Sequence, residues 1–169
     1  MLRTDRFVLR AFVPEDLDAM HALHADPRTN VFNPAGPDTS MEQTRERFDG
    51  WLAEWRRYGL GYFAVEEDGR LIGMTGVRRT EWAGLRVFNL GYRFVPEVWG
   101  RGVAQECATA AIEAARRQDP QRPVIARTTR DNLPSQRVAL GIGLVRAPDL
   151  EFDDEYGPTA IFRSGWGRY

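Results

Sequence analysis

The residues whose order best suits chemistry are Val95-Pro96-Glu97-Val98-Trp99-Gly100-Arg101-Gly102-Val103-Ala104, where two glycines fall between a strand end and a helix start. Amides in the first turn of a helix point outward, the helix dipole is positive there, and glycine lets an anion approach without Cβ clashes. Arg101 adds a local cation. The chemistry implied is the cradling of a pyrophosphate. On its own a Gly-x-Gly pair is equally a tight turn. A dinucleotide site wants three glycines after the first strand of a βαβ unit, and a phosphate loop wants a lysine. All 23 Lys+Arg positions here are arginine, which also excludes Schiff-base lysines.

Other chemistry-bearing residues are sparser. Asn132 and Ser135 stand around Pro134 at a helix start, where Asn is a strong N-cap and proline suits the first turn. Capping and ligand contact are compatible there. Asp26 lies in a breaker-rich loop, and Glu151, Asp153, Asp154 and Glu155 form an acidic run that attracts a cationic amine or is merely solvated surface. Trp51 belongs to a helical stripe with Phe48, Leu52 and Trp55, which reads as a core face or as an aromatic wall for an acceptor. Cys107 falls on an apolar helix face and reads as buried packing rather than a nucleophile. His21 and His24 lie one turn apart with no third ligand at metal spacing, so no metal is expected.

These residues need elements to position them. Residues 6–12 alternate as a half-buried strand, Pro14-Glu15-Asp16 opens a helix to about His24, and residues 26–39 form a loop. Ser40 to Gln43 has capping-box spacing for a helix to about Tyr58. Asp68-Gly69 joins two strands as a hairpin, a turn at Ala83-Gly84 leads to a strand over 87–95, and the middle is an antiparallel meander. A helix from Ala104 to about Asp119, a strand over 123–129 and a helix from Pro134 to Ile142 closed by Gly143 follow. The fold class is α+β with a mixed sheet.

Composition sets the frame. At 169 residues, 43% hydrophobic and 28% charged, the chain suits one domain over 1–169. A net charge of -1 gives no general attraction to nucleic acid or anionic lipid. No apolar run reaches bilayer length and Met1 to Arg6 lacks a signal-peptide core, so a cytoplasmic protein is expected. No heptad or interface stripe decides between monomer and homodimer.

The chain resembles the GNAT superfamily of acetyltransferases, especially the RimJ/RimL-like branch. The resemblance is carried by residues 6–10, Leu90-Gly91-Tyr92-Arg93, the Trp99 to Ala104 loop, and residues 128–144. It implies a central, mostly antiparallel twisted sheet flanked by helices, acetyl-CoA as co-substrate, and an amine acceptor on a small molecule or a protein N-terminus. It further implies that residues 99–104 hold the pyrophosphate and that Phe94 and Val95 pair with pantetheine, an amide near Val95 serving the oxyanion. Asn132 would contact pantetheine and Ser135 would protonate the departing sulfur.

Three positions depart from that pattern. Trp99 stands where Gln or Arg is common, with Arg101 or Arg137 left to compensate. Ala139 stands where many relatives have a tyrosine that serves as the acid, and Asn89 where RimJ-like relatives often carry Glu, so the general base is unassigned. The rival reading is a non-catalytic acyl-CoA-binding or regulatory module, which release of thiol with an amine distinguishes. A metabolite-binding scaffold without CoA requires the loop to be only a turn.

Overall fold

The computed structural model describes residues 1–154 and 157–167. Its strands are β1 (Leu2–Arg3), β2 (Val8–Arg10), β3 (Tyr62–Glu67), β4 (Arg70–Trp82), β5 (Leu85–Phe94), β6 (Val124–Thr129), β7 (Val145–Arg146), β8 (Asp153–Asp154) and β9 (Gly157–Arg163). The helices are α1 (Leu17–Ala25), α2 (Met41–Tyr58), α3 (Val103–Gln118) and α4 (Leu133–Gly141). Among the described residues the sheet runs β1-β2-β3-β4-β5-β6-β9-β7, with β8 paired to β9. Only β5 and β6 run parallel; the remaining pairs are antiparallel. The expected α+β mixed sheet is therefore the fold observed.

Local chemistry explains several boundaries. Asp68 (φ +50°) and Gly69 (φ +77°) make the two-residue turn between β3 and β4, whose mirror-type twist suits a hairpin. Ser40 Oγ accepts from the Gln43 amide at 3.3 Å, capping α2. Gln43 Oε1 reaches back one residue further than a capping box requires, to the Thr39 amide at 2.8 Å. The unforeseen elements are β1, β7, β8 and above all β9, which inserts between β6 and β7.

The sheet divides two cores. On one face Phe88, Leu90, Phe94, Cys107, Ala108, Ala111 and Ala115 are buried, the alanines letting α3 lie close to the strands. On the other, Phe12, Phe48 and Trp51 cluster with Met20, Leu23, Ala64 and Met74 beneath α1 and α2. Trp51, 2% exposed, stacks on Phe12 at 5.5 Å and meets Tyr62 edge-on at 5.5 Å. Of its two readings, the core face is the one the structure adopts, and Trp51 is not in the wall of the cavity described below.

His24 borders this second core. Arg47 Nη1 lies 3.0 Å from His24 Nδ1; a guanidinium only donates, so Nδ1 accepts and the proton sits on Nε2. Burial, then the charges of Arg93 and Arg47, push the imidazole down to about 3, with Asp38 opposing them. The unfolded chain protonates first, near 6.5, so this contribution to stability is full above that pH and is lost as pH falls toward 3. The expected loss is about 2 kcal/mol by pH 5. His24→Gln, which keeps an acceptor for Arg47, should flatten the fall in unfolding midpoint between pH 7 and 5; an unchanged slope would assign it to other groups.

Candidate active site

β5 and β6 are in register only at Phe88↔Val124, Asn89↔Ile125 and Leu90↔Ala126. Beyond that point β5 stays with β4 as far as Gly73↔Phe94, while β6 stays with β9 as far as Thr129↔Thr159. Each strand follows its outer neighbour, so the sheet opens into a cleft, part of a cavity of about 950 Å³. Its walls include β5 residues 89–94, β6 residues 126–129, the loop around Phe32 and the starts of α3 and α4.

Alternation along β5 fixes which amides face the opening. The Phe88 amide donates to Pro123 O at 2.8 Å, toward β6, and the Val95 amide to Ile72 O at 3.0 Å, toward β4. Even-numbered residues therefore face β6, and Tyr92 and Phe94 lie past its last registered partner. Trp99 Nε1 donates to Phe94 O at 2.9 Å. Val95, expected as pantetheine contact and oxyanion donor, is corrected: its amide belongs to Ile72, its carbonyl accepts from Val98, and it is no part of the cavity wall.

At one end of the cavity lies the N-terminus of α3. Gly102 is its N-cap with no side-chain cap, and the first helical bond is Glu106 N–H to Gly102 O at 3.1 Å. The amides of Val103, Ala104 and Gln105 precede that bond and have no acceptor within the helix, and all three residues line the cavity. Gly100 and Gly102 both adopt φ +74°. A Cβ on Gly100 would meet no atom within 4 Å, and one on Gly102 only Arg6 Nη2 at 3.8 Å, so the space is open to a ligand. Uncapped amides, a positive helix end and free volume suit a pyrophosphate.

The local cation differs from expectation. Arg101 turns away to Glu67, at 3.0 and 2.5 Å, and does not line the cavity, its guanidinium holding that carboxyl below the usual range. Arg137 lines the cavity, is exposed and forms no ion pair among the described residues. Trp99, 52% exposed, is also a wall residue, but its one donor is taken by Phe94.

At the start of α4, Asn132 Oδ1 accepts from the Ser135 amide at 3.1 Å. Ser135 Oγ lies 2.6 Å from Tyr92 Oη, and the phenol also reaches Ser135 O at 3.1 Å. Burial pushes the Tyr92 phenol above its usual value, so it remains protonated at neutral pH.

Residues 6–145 match a family model described as acetyltransferase (GNAT) domain. The chain belongs to the GNAT acetyltransferase family. Among solved structures, an acetyltransferase from Agrobacterium tumefaciens is 26% identical with a TM-score of 0.82, covering 96% of this chain and 92% of that one. The Salmonella typhimurium acetyl transferase that modifies the N-terminal serine of ribosomal protein L7/L12 is 17% identical with a TM-score of 0.79, covering 95% of each chain. The Vibrio cholerae spermidine N-acetyltransferase in complex with CoA and spermine is 17% identical with a TM-score of 0.75, covering 95% and 94%. The last two share the fold, which thus reaches beyond the RimL-like branch.

Within this GNAT frame, Tyr92 is a cavity residue that sequence reasoning did not single out. It stood in the motif Leu90 to Arg93, but its partner Ser135 is 43 positions away. Ala139, on the buried face of α4, is 2% exposed. The expected acceptor residues do not converge. Asp26 caps a short helical turn and pairs with Arg28 at 2.7 Å, Trp51 lies in the core, and Glu155 lies outside the described residues. Glu151 pairs with Arg146, and Asp153 lies 3.8 Å from Arg130. Cys107 is fully buried, its thiol pushed up to about 12 by desolvation, which leaves it inert as a nucleophile. Among the described residues no His, Cys, Asp or Glu cluster has a metal-binding arrangement, and no helix is long and apolar enough to cross a membrane.

Proposed function

We propose that this GNAT protein transfers an acetyl group from acetyl-CoA to a primary amine of a small molecule or protein N-terminus. The observation that carries this reading is a cleft opening at Leu90↔Ala126 and ending under the uncapped start of α3. Gly100, Gly102, Val103 and Ala104 would hold the pyrophosphate, with Arg137 as counter-charge and Trp99 as a flanking wall. Asn132, Tyr92 and the Phe94 amide would hold pantetheine, this open edge of β5 pairing as a strand does, while Phe94 O stays with Trp99.

When bound, the co-substrate supplies an acyl carbonyl with a thiolate leaving group. An edge amide of Tyr92 or Phe94, in place of Val95, steadies the charge that grows on the carbonyl oxygen. The Tyr92–Ser135 pair holds a proton at the departing sulfur. The attacking amine, with a pKa of roughly 8 for a terminus or 10 for lysine, must first be neutral. No carboxylate or imidazole lines the cavity among the described residues, so water receives that proton.

The test is the thermal midpoint of the purified protein with acetyl-CoA. At about 100 times the dissociation constant the expected stabilisation is roughly 2.7 kcal/mol, a rise of about 5–10 °C for a domain of this size. Thiol release with an amine must follow. A midpoint unmoved by saturating acetyl-CoA would remove the acyl donor from the reading, and binding without thiol release would favour a regulatory acyl-CoA module.

A further inference from the structure

The second face of the cleft differs in chemistry from the first. Tyr92 reaches α4 on one side of the sheet. The odd-numbered residues Asn89, Gly91 and Arg93 point to the opposite side, that of α1 and α2. Their cross-strand partners agree: Arg78, opposite Asn89, pairs with Glu54 of α2, and Met74, opposite Arg93, is buried with α1 and α2. Gly91 between them is covered by the Tyr62 phenol, whose Oη stands 2.5 Å from where a Cβ on Gly91 would lie, so Asn89 and Arg93 border the cavity separately.

Two observations on that face point to a ligand. Asn89 is a residue of the cavity wall, and its Oδ1, shielded behind that wall, has no hydrogen-bond partner. Arg93 also lines the cavity and has no carboxylate partner: its one hydrogen bond is Nη1 to Asn30 Oδ1 at 2.6 Å. Asn30, itself 5% exposed, is anchored by its amide to His24 O at 2.8 Å and Asp26 O at 2.9 Å, so this guanidinium is held from one corner only. A guanidinium has five N–H donors; the nearby Asp38 carboxylate is already paired with Arg47 at 2.9 Å, so two guanidiniums share one negative charge, and a desolvated guanidinium short of counter-charge is costly. Four arginines, Arg28, Arg93, Arg127 and Arg137, line the cavity, and no carboxylate does so among the described residues. Arg28 is balanced by Asp26 at 2.7 Å, and the positive charge that remains on the wall disfavours a polycation.

We propose that the acceptor is an amine carrying a carboxylate and that Arg93 binds the carboxylate. This rests on the acyltransferase reading. Guanidinium and carboxylate match in a bidentate geometry that an ammonium or a neutral amide cannot reproduce. Burial beside Arg47 lowers the Arg93 guanidinium to about 10, which still leaves it charged at neutral pH. The carboxylate can be the main-chain group of a free amino acid or an acidic side chain near a peptide N-terminus, and the acceptor panel separates the two.

The experiment measures thiol release from acetyl-CoA with free amino acids, the matching amino-acid amides, dipeptide amides starting with or followed by Asp or Glu, spermidine and an aminoglycoside. Carboxylate-bearing acceptors should exceed their amides by at least about 30-fold in kcat/KM, with spermidine and the aminoglycoside weaker still. Activity confined to free amino acids identifies the main-chain carboxylate; activity with acidic dipeptide amides identifies a side chain. Arg93→Met should erase the acid-over-amide preference, chiefly through KM, and Arg93→Lys should restore part of it. The wild-type comparison does not depend on the variants folding. Equal use of acids and amides, or preference for spermidine, overturns the carboxylate site and leaves the acyltransferase standing. Absence of amine-dependent thiol release with every acceptor overturns both.

Discussion

Gly102→Glu is expected to raise the dissociation constant for acetyl-CoA by about 10³-fold and to abolish its thermal shift. The φ of +74° at Gly102 strains any side chain, at roughly 1 kcal/mol. A carboxylate at a helix N-cap is favourable with the dipole, so the free protein should lose little net stability. The same carboxylate occupies amides meant for pyrophosphate and brings like charge within a few ångströms of it. Gly102→Ala shares the strain without the charge and separates the two effects. Calorimetric titration of all three proteins decides: equal affinity for wild type and the glutamate variant would detach the α3 start from cofactor binding.

Tyr92→Phe should lower kcat by about 10² to 10³-fold while leaving the KM for acetyl-CoA nearly unchanged, as expected when a proton donor acts only in the transition state. Burial keeps the phenol protonated, and Ser135 Oγ fixes its direction at 2.6 Å. Ser135→Ala should cost less, about 10-fold, because Tyr92 keeps its proton and the Ser135 carbonyl at 3.1 Å. Steady-state thiol release gives both constants. Undiminished kcat in both variants would make the pair a structural link between β5 and α4.

These two tests differ in how their residues became visible. The glycine loop was legible because a strand end, a turn and a helix start are consecutive in sequence, and Asp68-Gly69 and Ser40 were legible for the same reason. Tyr92 was not, since no local pattern joins it to Ser135. Nor did the sequence reveal that Arg101 answers Glu67, or that Val95 gives its amide to β4. Both depend on register, which a strand's own alternation leaves open. The strand β9 was missed because its buried core, Ala160-Ile161-Phe162, is short and follows an acidic run that reads as surface. Trp51 shows the reverse case: helical spacing marks a face as apolar, and only packing shows what covers it.

The insertion of β9 between β6 and β7 bears on how the molecule assembles. The meander from β3 to β5 closes through turns of two residues, at Asp68-Gly69 and Ala83-Gly84, and can form as soon as those strands exist. One wall of the cleft must wait, since β6 ends at Thr129 and gains its antiparallel neighbour only from residues 157–163. Loop closure over that separation makes the pairing a late event, so a folding chain passes through a stage with helices and meander in place but no groove. Competence to bind therefore waits on a long-range pairing, and a pulse-labelling experiment should find β6 and β9 protected after β3 to β5.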